Sequence, residues 1–275
     1  MPSFREAYFE AINLNIPKSI VLFAMQEISG LDNLTLTNSF DIEFQKYPSF
    51  IEAIKRYLNG EMMEYILNKA SFCGDVFYVD KNVLIPRQET EQLVSKTIDC
   101  INIVFKDKQI AIADVCTGSG CIGISIAKRL PKNNYFLSDI SKDAIRVANK
   151  NIKTLLNDVK IQTVTGDMLE PLKDFKFDVI ICNPPYISDI TTIDKKTWNQ
   201  EPHLALLANP STKHYEEILN GYKQITNKQC LLAFEIGEDM EKSLTSLIKK
   251  YCPKASYSFE KDLYGKTRFL FIKQQ

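Results

Sequence analysis

The chain has 275 residues, enough for one large domain or a medium domain plus a small one, and 45% are hydrophobic, which excludes wholesale disorder. Lysine plus arginine balances aspartate plus glutamate at 34 each, which argues against a protein that grips nucleic acid mainly through its phosphates. Seven scattered cysteines with no CxxC pair, beside only two histidines, argue against a zinc site and for free thiols in a reducing compartment.

The N-terminus, MPSFREAYFEAI, carries acidic residues and no long apolar stretch, so it reads as neither a signal nor a transit peptide. No apolar run is long enough to span a bilayer, and the expectation is a soluble, cytoplasmic protein. FREAYFEAINLN, SIVLFAMQEISG and SFIEAIKRYLNG each space apolar residues three and four apart and predict helices. Pro17 and Pro48 stand near helix starts, Gly30 and Gly60 near helix ends. Residues 1–72 are therefore read as a small helical domain, either a structural cap or a partner-docking module. FYV and NVLI predict two strands joined at Asp80-Lys81, a β-hairpin linker placed at residues 73–90. ETEQLVSKTIDCI then reads as a helix.

From Gln109 strand and helix alternate, which predicts an α/β domain over 91–275 with a parallel sheet covered by helices on both faces. The expected strands are QIAIADV, NYFLSD, KIQTVTGD, FDVIICN and CLLAFEIG, then SYSFEK and TRFLFIK at the end.

The ends of four strands carry the chemistry. DVCTGSGCIG joins a strand to a helix, and Gly118 and Gly120 let backbone approach a ligand. A phosphate loop is excluded because no Gly-Lys-Ser/Thr follows; a nicotinamide site or a plain tight turn remains open. Asp139 ends the next strand, about 20 residues on, where an acid can accept hydrogen bonds from both hydroxyls of a ribose. Taken alone, Ser138, Asp139 or Ser141 simply caps the following helix. Asp167 and Met168 end the third strand: an acid for an adenine amino group and a thioether for its ring face, or a turn. The fourth strand ends in NPPY. Two prolines cannot donate to a strand ladder, so this is either a turn or a rigid clamp for a planar nitrogen. An amide nitrogen is a poor nucleophile because its lone pair is delocalised, and it needs acceptors to hold its N–H groups in line. The Asn183 side-chain carbonyl and the Pro184 backbone carbonyl supply two, and Tyr186 a flat wall. Four consecutive strand ends suited to one nucleoside and one planar amine favour the clamp, with a methyl sulfonium as the electrophile.

CTGSG, LSD, GDM and NPPY in this order resemble a class I S-adenosylmethionine-dependent methyltransferase of the amino-methylating kind, which implies a Rossmann-like seven-stranded sheet. EYILNKASFCGDVFYVDKNVLIPRQETEQLV, with EPHLAL, EIG and DLYGKTRF, resembles the protein-(glutamine-N5) methyltransferases of peptide chain release factors over about residues 60–275. The resemblance implies methyl transfer to the glutamine of the release factor Gly-Gly-Gln loop, in support of translation termination. It implies S-adenosylmethionine held by Cys116, Thr117, Gly118, Ser119 and Gly120, by Asp139 at the ribose, and by Asp167 and Met168 near the adenine. Asn183 touches both donor and acceptor, with Pro184, Pro185 and Tyr186 around the glutamine; catalysis falls on Asn183, Pro184 and Tyr186. Arg87 and Glu89 lie beside the cofactor pocket, and the helical domain docks the substrate. The implied partners are class I release factors, with no membrane, no sequence-specific nucleic acid and a monomeric chain.

Three positions depart from the family pattern: Cys116 for a glycine, Gln88 for a proline, and ANPSTK at 208–213 for a glycine-rich stretch. The competing readings are an N6-adenine methyltransferase on DNA or RNA, a glutamine or amine methyltransferase with another protein substrate, and an inactive cofactor-binding scaffold. The two histidines, His203 and His214, are expected to be ordinary loop or helix-start residues.

Overall fold

A computed structural model describes all residues, 1–275, as two compact units, Met1–Lys69 and Ala70–Gln275. No helix is long and apolar enough to cross a membrane.

The first unit holds five helices: α1 Phe4–Asn13, α2 Lys18–Ser29, α3 Asn33–Asn38, α4 Tyr47–Leu58 and α5 Met63–Leu67. Ser3 opens α1 with a reciprocal cap: its hydroxyl accepts the Glu6 N–H, and its own N–H donates to the Glu6 carboxylate at 2.7 Å. Pro48 sits in the first turn of α4, where its missing N–H has no partner to lose. Phe50, Ala53 and Ile54 on one face of α4 pack with Phe4, Val21, Met25 and Phe44 into a closed apolar core. The short helices α3 and α5 were not evident in the apolar pattern.

The second unit begins with the strand pair β1 Ala70–Phe72 and β2 Asp75–Phe77. The hairpin thus lies earlier than FYV and NVLI suggested. Its two-residue turn is Cys73-Gly74, with φ of 53° and 85°, the doubly positive geometry that matches strand twist. The apolar run Val83-Leu84-Ile85 mimics a strand, but the backbone of Val83 and Ile85 is engaged elsewhere. Val83 N–H closes a turn on the Asp80 carbonyl, and Ile85 N–H donates to the Glu201 carboxylate at 3.1 Å.

The rest runs α6 Gln88–Phe105, β3 Ala111–Val115, α7 Cys121–Arg129, β4 Asn134–Asp139, α8 Lys142–Leu155, β5 Lys160–Thr165 and β6 Phe177–Cys182. It continues with α9 Lys195–Gln200, α10 Lys213–Ile225, β7 Thr226–Glu235, α11 Glu241–Tyr251, β8 Ser256–Lys261 and β9 Thr267–Gln274. The seven-stranded sheet has the order β5-β4-β3-β6-β7-β9-β8. It is not wholly parallel: β9 runs antiparallel to both β7 and β8. The five residues between β8 and β9 are too few for a crossover, so the last two strands form a hairpin.

The central strands are buried on both faces, which is why FDVIIC and CLLAF are near-continuous apolar runs. Along β6, Val179 and Ile181 face one core with Leu93, Ile101 and Ile126 of α6 and α7. Phe177, Ile180 and Cys182 face the other, with Tyr215, Ile218, Leu244 and Ile248 of α10 and α11. Strand order reverses direction at β3/β6, leaving a crevice beyond the carboxyl ends of these strands.

Candidate active site

Gly118 follows β3 in a loop with φ of +55°, and a Cβ there would meet nothing within 4 Å. That face of the loop is open space into which a ligand can come close to the backbone. Gly123 does the opposite task. A Cβ on it would meet Leu137 at 2.7 Å and the Asp114 carboxylate at 2.9 Å, so glycine lets α7 lie against β4. Asp114 is buried under the loop and accepts from the Thr117 hydroxyl at 2.6 Å and the Gly123 N–H at 2.9 Å. Burial pushes its carboxyl up to about 7.

Asp139 ends β4 beside this loop. Its two oxygens accept the Gly118 N–H and the Ser141 N–H, each at 2.9 Å. Each oxygen keeps a lone pair for a further donor. Burial raises its pKa, against the backbone N–H groups of Ser141, Gly118 and Ile140 that favour the charge. Cys116 and Met168 face each other across the loop ends, the Cys116 thiol 3.8 Å from the Met168 sulfur. Both have positive φ, 59° and 42°, a conformation that disfavours a side chain.

Cys116, Gly118, Asp139, Gly166, Asp167, Met168, Asn183 and Pro185 line one cleft of about 870 Å³, part of it open to solvent. Of the loop residues proposed from sequence, Thr117, Ser119 and Gly120 do not line it. Thr117 braces Asp114, Ser119 is buried, and a Cβ on Gly120 would strike Ile124 at 2.8 Å. The cleft also takes in Asn82, Val83, Leu84, Pro202 and His214, none of which was expected as a site residue from the sequence. His214, expected to be an ordinary helix-start residue, faces the cleft and pairs with Glu217 at 3.1 Å. His203 stacks on Trp198, ring centroids 3.7 Å apart.

A second hollow adjoins the first and shares Leu84, Asn183, Pro185 and Ala205 with it. Arg87, Pro184, Tyr186, Asp194 and Glu235 also line it. Arg87 therefore lies beside this hollow and not the first cleft. It pairs with the buried carboxylate of Glu201, which also holds Ile85, so the segment before α6 is tied to the segment after α9. Ile187 N–H donates to the Leu206 carbonyl at 3.0 Å and the Ala208 N–H returns to the Ile187 carbonyl at 2.9 Å, fixing the chain just past NPPY. Gly237 packs on the Tyr186 ring; a Cβ there would lie 3.3 Å from it.

Asn183 stands where the two hollows meet. Its Nδ2 donates to the Thr90 hydroxyl at 3.3 Å, and that hydroxyl donates to the Glu235 carboxylate at 2.6 Å. The Asn183 Oδ1 and the Pro184 carbonyl accept no hydrogen bond from within the chain. Thr90 and Glu235 were not singled out from the sequence, because the Asn183–Thr90 contact spans 93 positions of chain and the Thr90–Glu235 contact 145.

The cleft residues fit S-adenosylmethionine: an open glycine backbone, a carboxylate with spare lone pairs 21 positions on, and a soft thioether at the third strand end. Sheet order and cleft together define a class I methyltransferase. A family model described as "Methyltransferase small domain" matches residues 98–200. A solved methyltransferase of Pyrococcus furiosus shares the fold, with TM-score 0.51 and 16% identity, covering 72% of this chain and 87% of that one.

Among curated proteins, the release factor glutamine methyltransferase of Mycoplasma mycoides is 34% identical over 270 residues, 95% of this chain and 94% of the relative. That of Leptospira interrogans is 38% identical over 229 residues, 82% of this chain and 79% of the relative. The chain belongs to the release factor glutamine methyltransferase family.

Proposed function

We propose that this enzyme transfers a methyl group from S-adenosylmethionine to the side-chain amide nitrogen, N5, of the glutamine in the Gly-Gly-Gln motif of class I peptide chain release factors. The cleft lined by Gly118, Asp139 and Met168 takes the cofactor. Asp139 accepts from its ribose hydroxyls, Cys116 and Gly118 border its methionine part, and Asp167 and Met168 border its adenine. The adjoining hollow takes the glutamine between Pro185 and Tyr186. Thr117, Ser119 and Gly120 hold the loop in shape and do not touch the cofactor. The helical unit Met1–Lys69 serves as the docking surface for the release factor.

The observation that carries this reading is the pair of unengaged acceptors, Asn183 Oδ1 and the Pro184 carbonyl, at the meeting of the two hollows. A primary amide has two N–H donors in one plane. Two fixed acceptors hold it with the nitrogen facing the neighbouring cleft and draw electron density toward that nitrogen as it attacks. Bound S-adenosylmethionine would supply a methyl carbon activated by its sulfonium: forming the C–N bond would break the C–S bond, with the electron pair left on sulfur and one N–H proton lost from the amide to solvent.

The test is transfer of labelled methyl from S-adenosylmethionine to a purified class I release factor, beside the same factor with its Gly-Gly-Gln glutamine replaced by alanine. Label on the first and none on the second is expected. Equal labelling of both, or label on nucleic acid alone, overturns the reading.

A further inference from the structure

Asn183 can serve as an acceptor only in one of two orientations of its amide. The two differ by a half-turn that exchanges oxygen for nitrogen and barely changes shape, so packing cannot select between them. A hydrogen-bond partner must. The flipped form would point Nδ2 at the substrate amide and set donor against donor.

Three elements meet at this point. Thr90 is in the first turn of α6, Glu235 ends β7, and Asn183 follows β6. Thr90 is 3% exposed and Glu235 4%, so water does not compete for either. A threonine hydroxyl has a single hydrogen. At 2.6 Å the Glu235 Oε2 takes it; burial pushes the Glu235 carboxyl up to about 7, and in its ionised form it is an acceptor only. What Thr90 has left to offer Asn183 is a lone pair, and a lone pair selects the amide nitrogen. Glu235 itself is seated: Tyr215 donates its hydroxyl to the Glu235 backbone carbonyl at 2.7 Å. Thr90 lies in the IPRQETE stretch and Glu235 in EIG, whose Gly237 packs on the Tyr186 ring.

We propose that Thr90 and Glu235 are positioning residues for methyl transfer, forming a one-way hydrogen-bond chain, Asn183 to Thr90 to Glu235, that keeps the Asn183 Oδ1 turned to the acceptor nitrogen. The inference rests on the acceptor reading given above. Thr90→Val keeps the shape and removes the lone pair; Thr90→Ser keeps the hydroxyl. Glu235→Gln keeps the shape but can donate as well as accept, so it no longer dictates the direction of the chain.

The experiment pairs steady-state kinetics with ¹⁵N NMR of the Asn183 side-chain NH₂ in the protein without acceptor. Thr90→Val and Glu235→Gln are expected to lower kcat about ten- to a hundredfold, with the cofactor Kd within about threefold of wild type and Thr90→Ser near wild type. The NH₂ hydrogens should exchange slowly in wild type and Thr90→Ser, and at least about tenfold faster in Thr90→Val, as expected for loss of a buried partner. Unchanged kcat with unchanged exchange in Thr90→Val overturns the proposal, as does a Thr90→Ser variant as impaired as Thr90→Val. If wild type transfers nothing to a release factor while the NMR contrast holds, the acceptor reading fails and the orientation chain stands.

Discussion

Asp139 and Gly118 meet across two neighbouring strand ends, the carboxylate Oδ2 accepting the Gly118 N–H at 2.9 Å. The same hydrogen bond turns the acid toward the cleft and pins the loop whose open face borders it. Asp139→Ala removes a charged acceptor from the cofactor and a partner from the loop together. The expected loss of S-adenosylmethionine affinity is about 2–3 kcal/mol, read by isothermal titration. An unchanged Kd would refute the ribose assignment.

Asn183→Ala separates chemistry from binding. Cofactor affinity is expected to stay within a few-fold, since Asn183 touches only the border of that cleft. Turnover should fall by about 100-fold or more, the size of effect seen when one aimed electrostatic contact is removed at a reacting centre. Single-turnover kinetics at saturating cofactor measures this directly, and a kcat near wild type would rule out the acceptor role.

Gln88 occupies the first position of α6, and the residue before it, Arg87, has ψ of 147°, the extended form that precedes proline easily. Gln88→Pro therefore removes unfolded-state freedom without breaking a helical hydrogen bond. A gain of about 0.4–1 kcal/mol is expected in chemical denaturation. A loss of stability would mean that the first turn of α6 cannot take the ring.

Asp114 provides a pH signature. Its folded pKa, pushed up by burial to about 7, lies above the ordinary unfolded value near 4. Between about pH 4 and pH 7 the folded state holds the proton more tightly than the unfolded chain, so this group's contribution to stability falls as pH rises and levels off above about 7. Urea unfolding of wild type and Asp114→Asn across that range checks it. The stability of wild type minus that of the variant should decline with pH; a flat or rising difference contradicts the assignment.

Much of this was legible in the sequence because local pattern and tertiary environment agree. NYFLSD and SYSFEK are strands over the stretches expected, and the strand ends bearing Asp139, Met168 and Asn183 do converge on one cleft. Legibility failed where a contact is remote or where a local pattern is answered elsewhere. Val83, Leu84 and Ile85 form an apolar run like a short strand, yet the Ile85 N–H is claimed by Glu201, 116 positions on. Thr117, Ser119 and Gly120 belong to a motif that reads as ligand-binding, but the loop turns only Cys116 and Gly118 to the cleft. The antiparallel β9 follows from a short turn whose geometry apolar periodicity does not encode. Nothing near Asn183 in sequence announces Thr90 or Glu235; only the convergence of α6, β6 and β7 brings them together.

The central claim is the identity of the methylated atom. Tandem mass spectrometry of a class I release factor, incubated with this enzyme and S-adenosylmethionine, localises the modification to a side chain. A gain of one CH₂ on the glutamine of the Gly-Gly-Gln motif, retained on the side-chain amide in the fragment ions, is the expected result. An unmodified glutamine in the presence of active, cofactor-bound enzyme, or the gain found on another residue, would contradict it.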